Sequence, residues 1–107
     1  FRADLSNSQG RRTMFENANL RKANLRGANL TGANLSGCDL SQTQLMNTNL
    51  SNANLCRAQL WSANIVRADF SGADLSGANL FRAWGRKRDL RGANLTGAMM
   101  PNGKFHH

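Results

Sequence analysis

Histidine is nearly absent from this chain: its 107 residues hold two, and they are the final pair, His106 and His107. A Ser-His-Asp arrangement is therefore excluded from everything before the tail. The pair itself reads as a tail and not as a metal-ligand set. Cysteine is equally scarce, with Cys38 and Cys56 alone, which excludes a Cys/His zinc spacing and a disulfide framework. Both are expected to be free thiols, as befits a reducing, cytoplasmic compartment. Acidic residues number six against fourteen basic ones, leaving a net charge of +8, and no two carboxylates are placed as an acid and base pair. No apolar run is long enough to span a bilayer, and no signal-peptide pattern is visible. The absences together exclude ordinary active-site chemistry, so the expectation is no enzyme, no cofactor and no metal.

What the chain has is a beat. Every fifth position from Leu5 to Phe105 is a large apolar residue, except Gly10 and Gly85. Two places earlier stands a small residue, most often Ala (Ala3, Ala18, Ala23, Ala28), with Arg88 the gross departure, and between the two is usually Asn or Asp. Such a period fits neither an amphipathic helix, which repeats near 3.6 residues, nor a half-buried strand, which repeats every 2. It does fit one side of a coil. Residues two apart in an extended segment share a face, so the small and large residues point in while the rest turn a corner. A unit too small to bury its own apolar face implies stacking into a solenoid with one continuous core. Gly27, Gly32, Gly37, Gly72, Gly77, Gly92 and Gly97 all fall at the corner, which is turn chemistry and not a phosphate loop.

Units such as Ala23-Asn24-Leu25-Arg26-Gly27, Ala28-Asn29-Leu30-Thr31-Gly32, Ala73-Asp74-Leu75-Ser76-Gly77 and Ala93-Asn94-Leu95-Thr96-Gly97 resemble the A-(D/N)-L-x-x motif of the pentapeptide-repeat proteins. The resemblance runs the whole chain in one register. It implies an all-β fold, a right-handed quadrilateral β-helix with one pentapeptide on each side of the coil, hence about five coils in a single domain over 1–107. It implies no catalytic activity.

Departures from the beat are expected to carry structure of their own. Gly10, Arg11 and Arg12 predict an irregular first coil near 8–13. Gly85 cannot fill the core, and an unpaired Arg88 guanidinium buried among Leu and Ala would cost several kcal/mol. An outward bulge is therefore expected at 84–88, with the beat resumed at Leu90. The repeat dissolves at Met99-Met100-Pro101-Asn102-Gly103, where Pro cannot donate to a ladder and Asn-Gly favours a turn, so 99–107 reads as the terminal stop. This ending is similar to that of cyanobacterial members of the family. Phe1 stands already close to repeat phase, as expected of a domain cut from a longer chain.

Sorting pentapeptides by their place in a twenty-residue coil turns the sequence into a surface map. Two adjacent walls, centred on Leu5, Leu25, Leu45, Ile65 and Gly85 and on Leu20, Leu40, Leu60, Leu80 and Met100, collect almost all of the net positive charge. Arg2, Arg21, Lys22, Arg26, Arg67, Arg82, Arg86, Lys87 and Lys104 lie there, and Arg88 adjoins them. The same walls carry Trp61 and Phe81, twenty residues apart and expected to stack outward on adjacent coils, with Trp84 beside the interruption and Met46 and Val66 as a second pair. Clustered exposed aromatics mark an interaction site more often than isolated ones, and Arg and Trp are enriched at binding hot spots. The candidate partner-binding residues are Trp61, Phe81, Arg82, Trp84, Arg86, Lys87, Arg88, Arg67, Arg21, Lys22 and Arg26.

The expected function is a non-enzymatic protein-protein interaction scaffold, one module of a larger regulatory protein, whose partner is acidic. Binding of nucleic acid or another polyanion through the same face is the second reading, and a structural spacer the third. End-to-end dimerisation is also expected, since an open solenoid end exposes ladder groups and core leucines. The resemblance brings one further role, the protection of DNA gyrase by a rod that mimics the charge of DNA. That mechanism needs an acidic surface, and a net charge of +8 argues against it.

Overall fold

A computed structural model describes residues 3–104; Phe1, Arg2 and the tail Phe105, His106 and His107 lie outside the described residues. From Asp4 to Trp84 each pentapeptide contributes one bridging residue, the unit 86–90 contributes none, and every bridge is parallel and joins residues twenty apart, from Asp4 with Asn24 to Asn79 with Met99. No run is long enough to count as a strand among the described residues, because the chain turns after every bridge. The result measures 33 × 25 × 24 Å. No helix in it is long and apolar enough to cross a membrane.

The five backbone N–H groups of a unit show why the motif has its residues. In the unit around Leu25, Asn24 N–H donates to the Ala3 carbonyl (2.8 Å) and Leu25 N–H to Gln44 (2.9 Å), one coil on either side. Gly27 N–H donates to Met46 (3.1 Å), and Ala28 N–H closes the corner on Leu25 (3.0 Å). The remaining donor, Arg26 N–H, is taken by Asn24 Oδ1 at 3.1 Å. The Asn or Asp thus satisfies the one amide that the ladder and the turn leave over, as polar backbone groups require. The same bond recurs at Ser51 with Asn49, Ser71 with Asp69 and Phe81 with Asn79, whereas the longer Gln44 and Gln59 do not make it.

Inside, Leu25, Leu30, Leu35, Leu40, Leu45 and Leu50 begin a fully buried column that continues to Leu80, with Ala between the leucines and the walls. Where the small inward residue is polar and fully buried, its polar atom bonds a main-chain carbonyl: Thr43 Oγ1 to Leu40 (2.7 Å), Thr48 Oγ1 to Leu25 (2.6 Å) and Cys38 Sγ to Phe15 (2.7 Å). Burial also pushes the Cys38 thiol up, so it stays protonated and inert. At the corner the second residue is left-handed, with φ of 57–62° at non-glycine positions such as Asn7, Lys22 and Arg67. A Cβ there costs roughly 1–2 kcal/mol, which explains the glycines at the same place.

The irregular first coil expected from Gly10 is not in the backbone, which keeps the bridge of Gln9 with Asn29 and the turn from Gly10 to Thr13. Leu30 occupies the space instead, its Cδ2 lying 2.6 Å from where a Cβ on Gly10 would stand. At the other interruption Trp84 still bridges Asn64, and the chain leaves the ladder at Gly85 to form a short 3-10 helix, Lys87–Leu90. Arg88 is exposed there, so no guanidinium enters the core, while Leu90 is buried. The ladder returns with Asp74 and Asn94. At the stop, Gly103 N–H meets the Met100 carbonyl (2.8 Å) and Met100 N–H that of Lys104 (2.7 Å).

A pH dependence follows from the corner bonds. The Ser71 and Ser76 hydroxyls, aided by the backbone N–H of the same residues, hold the carboxyls of Asp69 and Asp74 below the ordinary carboxylate range. A depressed folded-state pKa contributes stability above the unfolded value, about 3.9, and that contribution is lost as pH falls through the folded value. Thermal melts at neutral pH and near pH 3 will show acid destabilisation, and Asp74→Asn, which keeps an acceptor but cannot titrate, will remove part of it.

Candidate functional site

Main-chain bonds between coils define the columns of the basic face. One corner stacks Arg21, Ser41, Trp61, Phe81 and Pro101 in order, since Lys22 N–H donates to Ser41, Gln42 to Trp61 (2.9 Å), Ser62 to Phe81 (2.9 Å) and Arg82 to Pro101 (3.0 Å). The other corner stacks Arg26, Met46 and Val66 through Gly27 and Asn47 N–H. Between them runs the wall that ends in Trp84. The candidate residues therefore share one face bounded by two corners.

Their exposure is uneven. Trp84 is 66% exposed and Phe81 38%, whereas Trp61 is only half-buried and does not project as the sequence led us to expect. The reason lies two coils away. Ser41 is small and buried, so Arg21 reaches across that layer and lays its guanidinium carbon 5.7 Å from the centre of the Trp61 ring. This cation-π contact covers the indole. Arg82 makes a similar contact with Phe81 at 5.1 Å, and Phe81 also packs toward Gly103, 3.4 Å from where a Cβ on Gly103 would stand. Arg67 Nε donates to Asn47 Oδ1 (3.2 Å), which holds its side chain along the corner. Arg26, Arg86, Lys87 and Arg88 are exposed, and Lys22 is half-buried.

The excursion is fastened by a residue that sequence reasoning passed over. By the rule of the other coils, Arg67 N–H would donate to the carbonyl of Arg86, but the excursion carries that carbonyl away. Asp89 takes its place: its Oδ1 accepts from Arg67 N–H (3.1 Å) and its Oδ2 from Arg86 N–H (2.8 Å). One carboxylate thus ties the 3-10 segment to itself and to the coil beneath. The only signal in the sequence was an Asp beside a broken unit. Met14, 69% exposed, is a second omission; it stands on a different wall, away from the aromatic corner.

A cleft opens at the end of the same face. It has a volume of about 400 Å³ and lies between the excursion and the terminal turn, lined by Gly85, Lys87, Leu90, Met100, Pro101 and Lys104 among others. A second hollow of about 250 Å³ shares Lys87, Leu90 and Met100 with it and reaches Leu95. Among the described residues no cluster of His, Cys, Asp and Glu could hold a metal ion.

The chain's likenesses agree with this geometry. A family profile described as pentapeptide repeats matches residues 2–27, 23–61 and 43–82, in 8 copies. No curated protein sequence matches the chain. Among solved structures, the chain is similar to a pentapeptide-repeat protein (Rfr23) of the cyanobacterium Cyanothece 51142, at 32% identity and a TM-score of 0.77, covering 89% of this chain and 65% of that one. It is similar to a pentapeptide-repeat protein of Nostoc PCC 7120 at 29% identity and a TM-score of 0.76, over 87% and 84% of the two chains. HetL, a pentapeptide-repeat protein of Nostoc involved in heterocyst differentiation regulation, matches at 29% identity with a TM-score of 0.57, over 97% of this chain and 64% of HetL. The chain thus spans 65% and 64% of the lengths of Rfr23 and HetL, less than two thirds of either.

Proposed function

Because the chain belongs to the pentapeptide-repeat family, a family of right-handed quadrilateral β-helices, we propose that it is a non-enzymatic scaffold of about five coils that binds an acidic protein partner through its basic and aromatic face. One observation carries the reading. The Trp84 indole is exposed on a wall and the Phe81 ring at its corner, with Arg26, Arg67 and Arg82 at the flanking corners and Arg86 and Lys87 on the adjoining excursion. An apolar aromatic anchor ringed by arginines is the composition of a protein-binding hot spot. Evenly spaced side chains on an open wall offer no convergent, water-excluded site for chemistry, which supports the non-enzymatic reading. HetL's description as a protein of differentiation regulation supports a regulatory module, with the partner's identity following from its own chemistry.

Polyanion binding is the second reading because the charge would attract it. One ring speaks against it: Trp61 is half-covered by Arg21, which leaves the exposed Phe81 without an open stacking neighbour in its column, where single-stranded nucleic acid needs a run of open rings. Gyrase protection by charge mimicry is opposed by the same basic face. Titration of the domain with heparin and mixed-sequence DNA, at low and at physiological salt, separates the readings. The scaffold predicts weak binding at low salt, none at physiological salt and no dependence on Trp84→Ala. Tight binding that falls steeply with salt and weakens in Trp84→Ala would overturn it in favour of nucleic acid.

A further inference from the structure

The cleft between the excursion and the terminal turn differs in kind from the rest of the face. The column is fully buried from Leu25 to Leu80, but here Leu95 and Met100 are half-buried at the floor, beside the buried Leu90. The volume of about 400 Å³ falls within the range of sites that hold a ligand group, roughly 300–1,000 Å³. Lys87 stands on one rim and Lys104 on the other, both exposed. No acidic side chain lines either hollow among the described residues, and the neighbouring Asp89 carboxylate is already engaged by two backbone amides.

Resting on the scaffold reading above, we propose that this cleft is the anchor pocket of the face, and that its occupant is an acidic peptide segment with a large apolar residue at its centre. The apolar side chain enters over Leu90 and Met100, and the flanking carboxylates of the segment meet Lys87 and Lys104. Charge complementarity selects this occupant. An uncharged apolar segment would leave both rim lysines unused, and a basic one would be repelled by the rim and by the basic corners on either side. The pocket is continuous with the aromatic corner through Pro101, which stacks on Phe81 in the same column and also lines the cleft. A segment anchored here can therefore run down the face past Phe81 and Trp84.

The test uses a fluorescein-labelled peptide of Asp and Glu residues around a central Leu-Phe, followed by anisotropy against the whole chain. Binding is expected to weaken about ten- to a hundredfold when Leu-Phe is replaced by Ala-Ala, as loss of a buried apolar side chain implies. Lys87→Glu with Lys104→Glu, both at exposed positions, will abolish it, while Met14→Glu, on a different wall of the first coil, will not. A peptide that binds equally with Ala-Ala, or that survives the lysine reversal, overturns the pocket. So does a concentration-dependent dimer, seen by light scattering, that the peptide fails to dissociate, for then a second copy of this chain fills the cleft. If instead the peptide is ignored while a partner captured on the face still depends on Phe81 and Trp84, the pocket fails and the scaffold stands.

Discussion

Phe70→Ala will destabilise the domain by about 3–5 kcal/mol, the penalty for truncating a buried aromatic whose surroundings cannot collapse. Phe70 is 1% exposed and is the one fully buried aromatic, among the described residues, in a column otherwise made of Leu and Ile. Its position magnifies the effect. Asp69 bridges Asn49 in the coil below, but the ladder has no corresponding bridge above it, where the chain has turned into the 3-10 helix. At this one step the coils lack a bridge and the buried Phe70 and Leu90 side chains fill the column, before the ladder resumes at Asp74 with Asn94. A small domain has only about 5–15 kcal/mol in total, so thermal or urea unfolding will register the change as a fall in midpoint well beyond about 10 °C. Loss confined to about 1 kcal/mol would mean that the column repacks freely.

Asp89→Ala will cost about 2 kcal/mol and, more tellingly, will free two particular amides. Two separate oxygens of this carboxylate hold Arg67 N–H and Arg86 N–H, and removing them leaves both donors without the partner the ladder would have given. Hydrogen exchange resolved by residue will show faster exchange at Arg67 and Arg86, while Asn47 and Arg57, whose N–H groups reach carbonyls at 3.3 and 2.9 Å, stay protected. Asp89→Asn keeps one oxygen and will fall between. The consequence for function is preorganisation: a fastened excursion presents Arg86, Lys87 and Arg88 without first having to order them. Unchanged exchange at both amides in Asp89→Ala would contradict this role.

The core column and the stacking at twenty residues are legible in the sequence because a five-residue beat of Leu and Ala leaves little else for those side chains to do. The surface map by position in the coil is legible for the same reason, and it gathers the candidate residues on two adjacent walls. Degree of exposure is not. Trp61 is half-covered because Arg21 spans a layer emptied by Ser41, a contact between residues forty apart that no local pattern announces. The part played by Asn and Asp shows in the sequence only as a preference, and its cause is the leftover corner amide that each side chain takes. Gly10 misleads because a hole in one unit is filled by Leu30 of another. Asp89 and the cleft escape sequence reasoning because both depend on how a broken unit folds back on its neighbours.

In the proposed function one face, and not the rod as a whole, does the binding. Placing a photoreactive benzoyl-phenylalanine at Arg86 on that face or at the exposed Met14 on a different wall, and illuminating the living source cells, distinguishes the two. A defined protein adduct is expected from the Arg86 position, lost when Trp84→Ala is added, and none from Met14. Equal adducts from both positions, or an Arg86 adduct indifferent to Trp84→Ala, would contradict it.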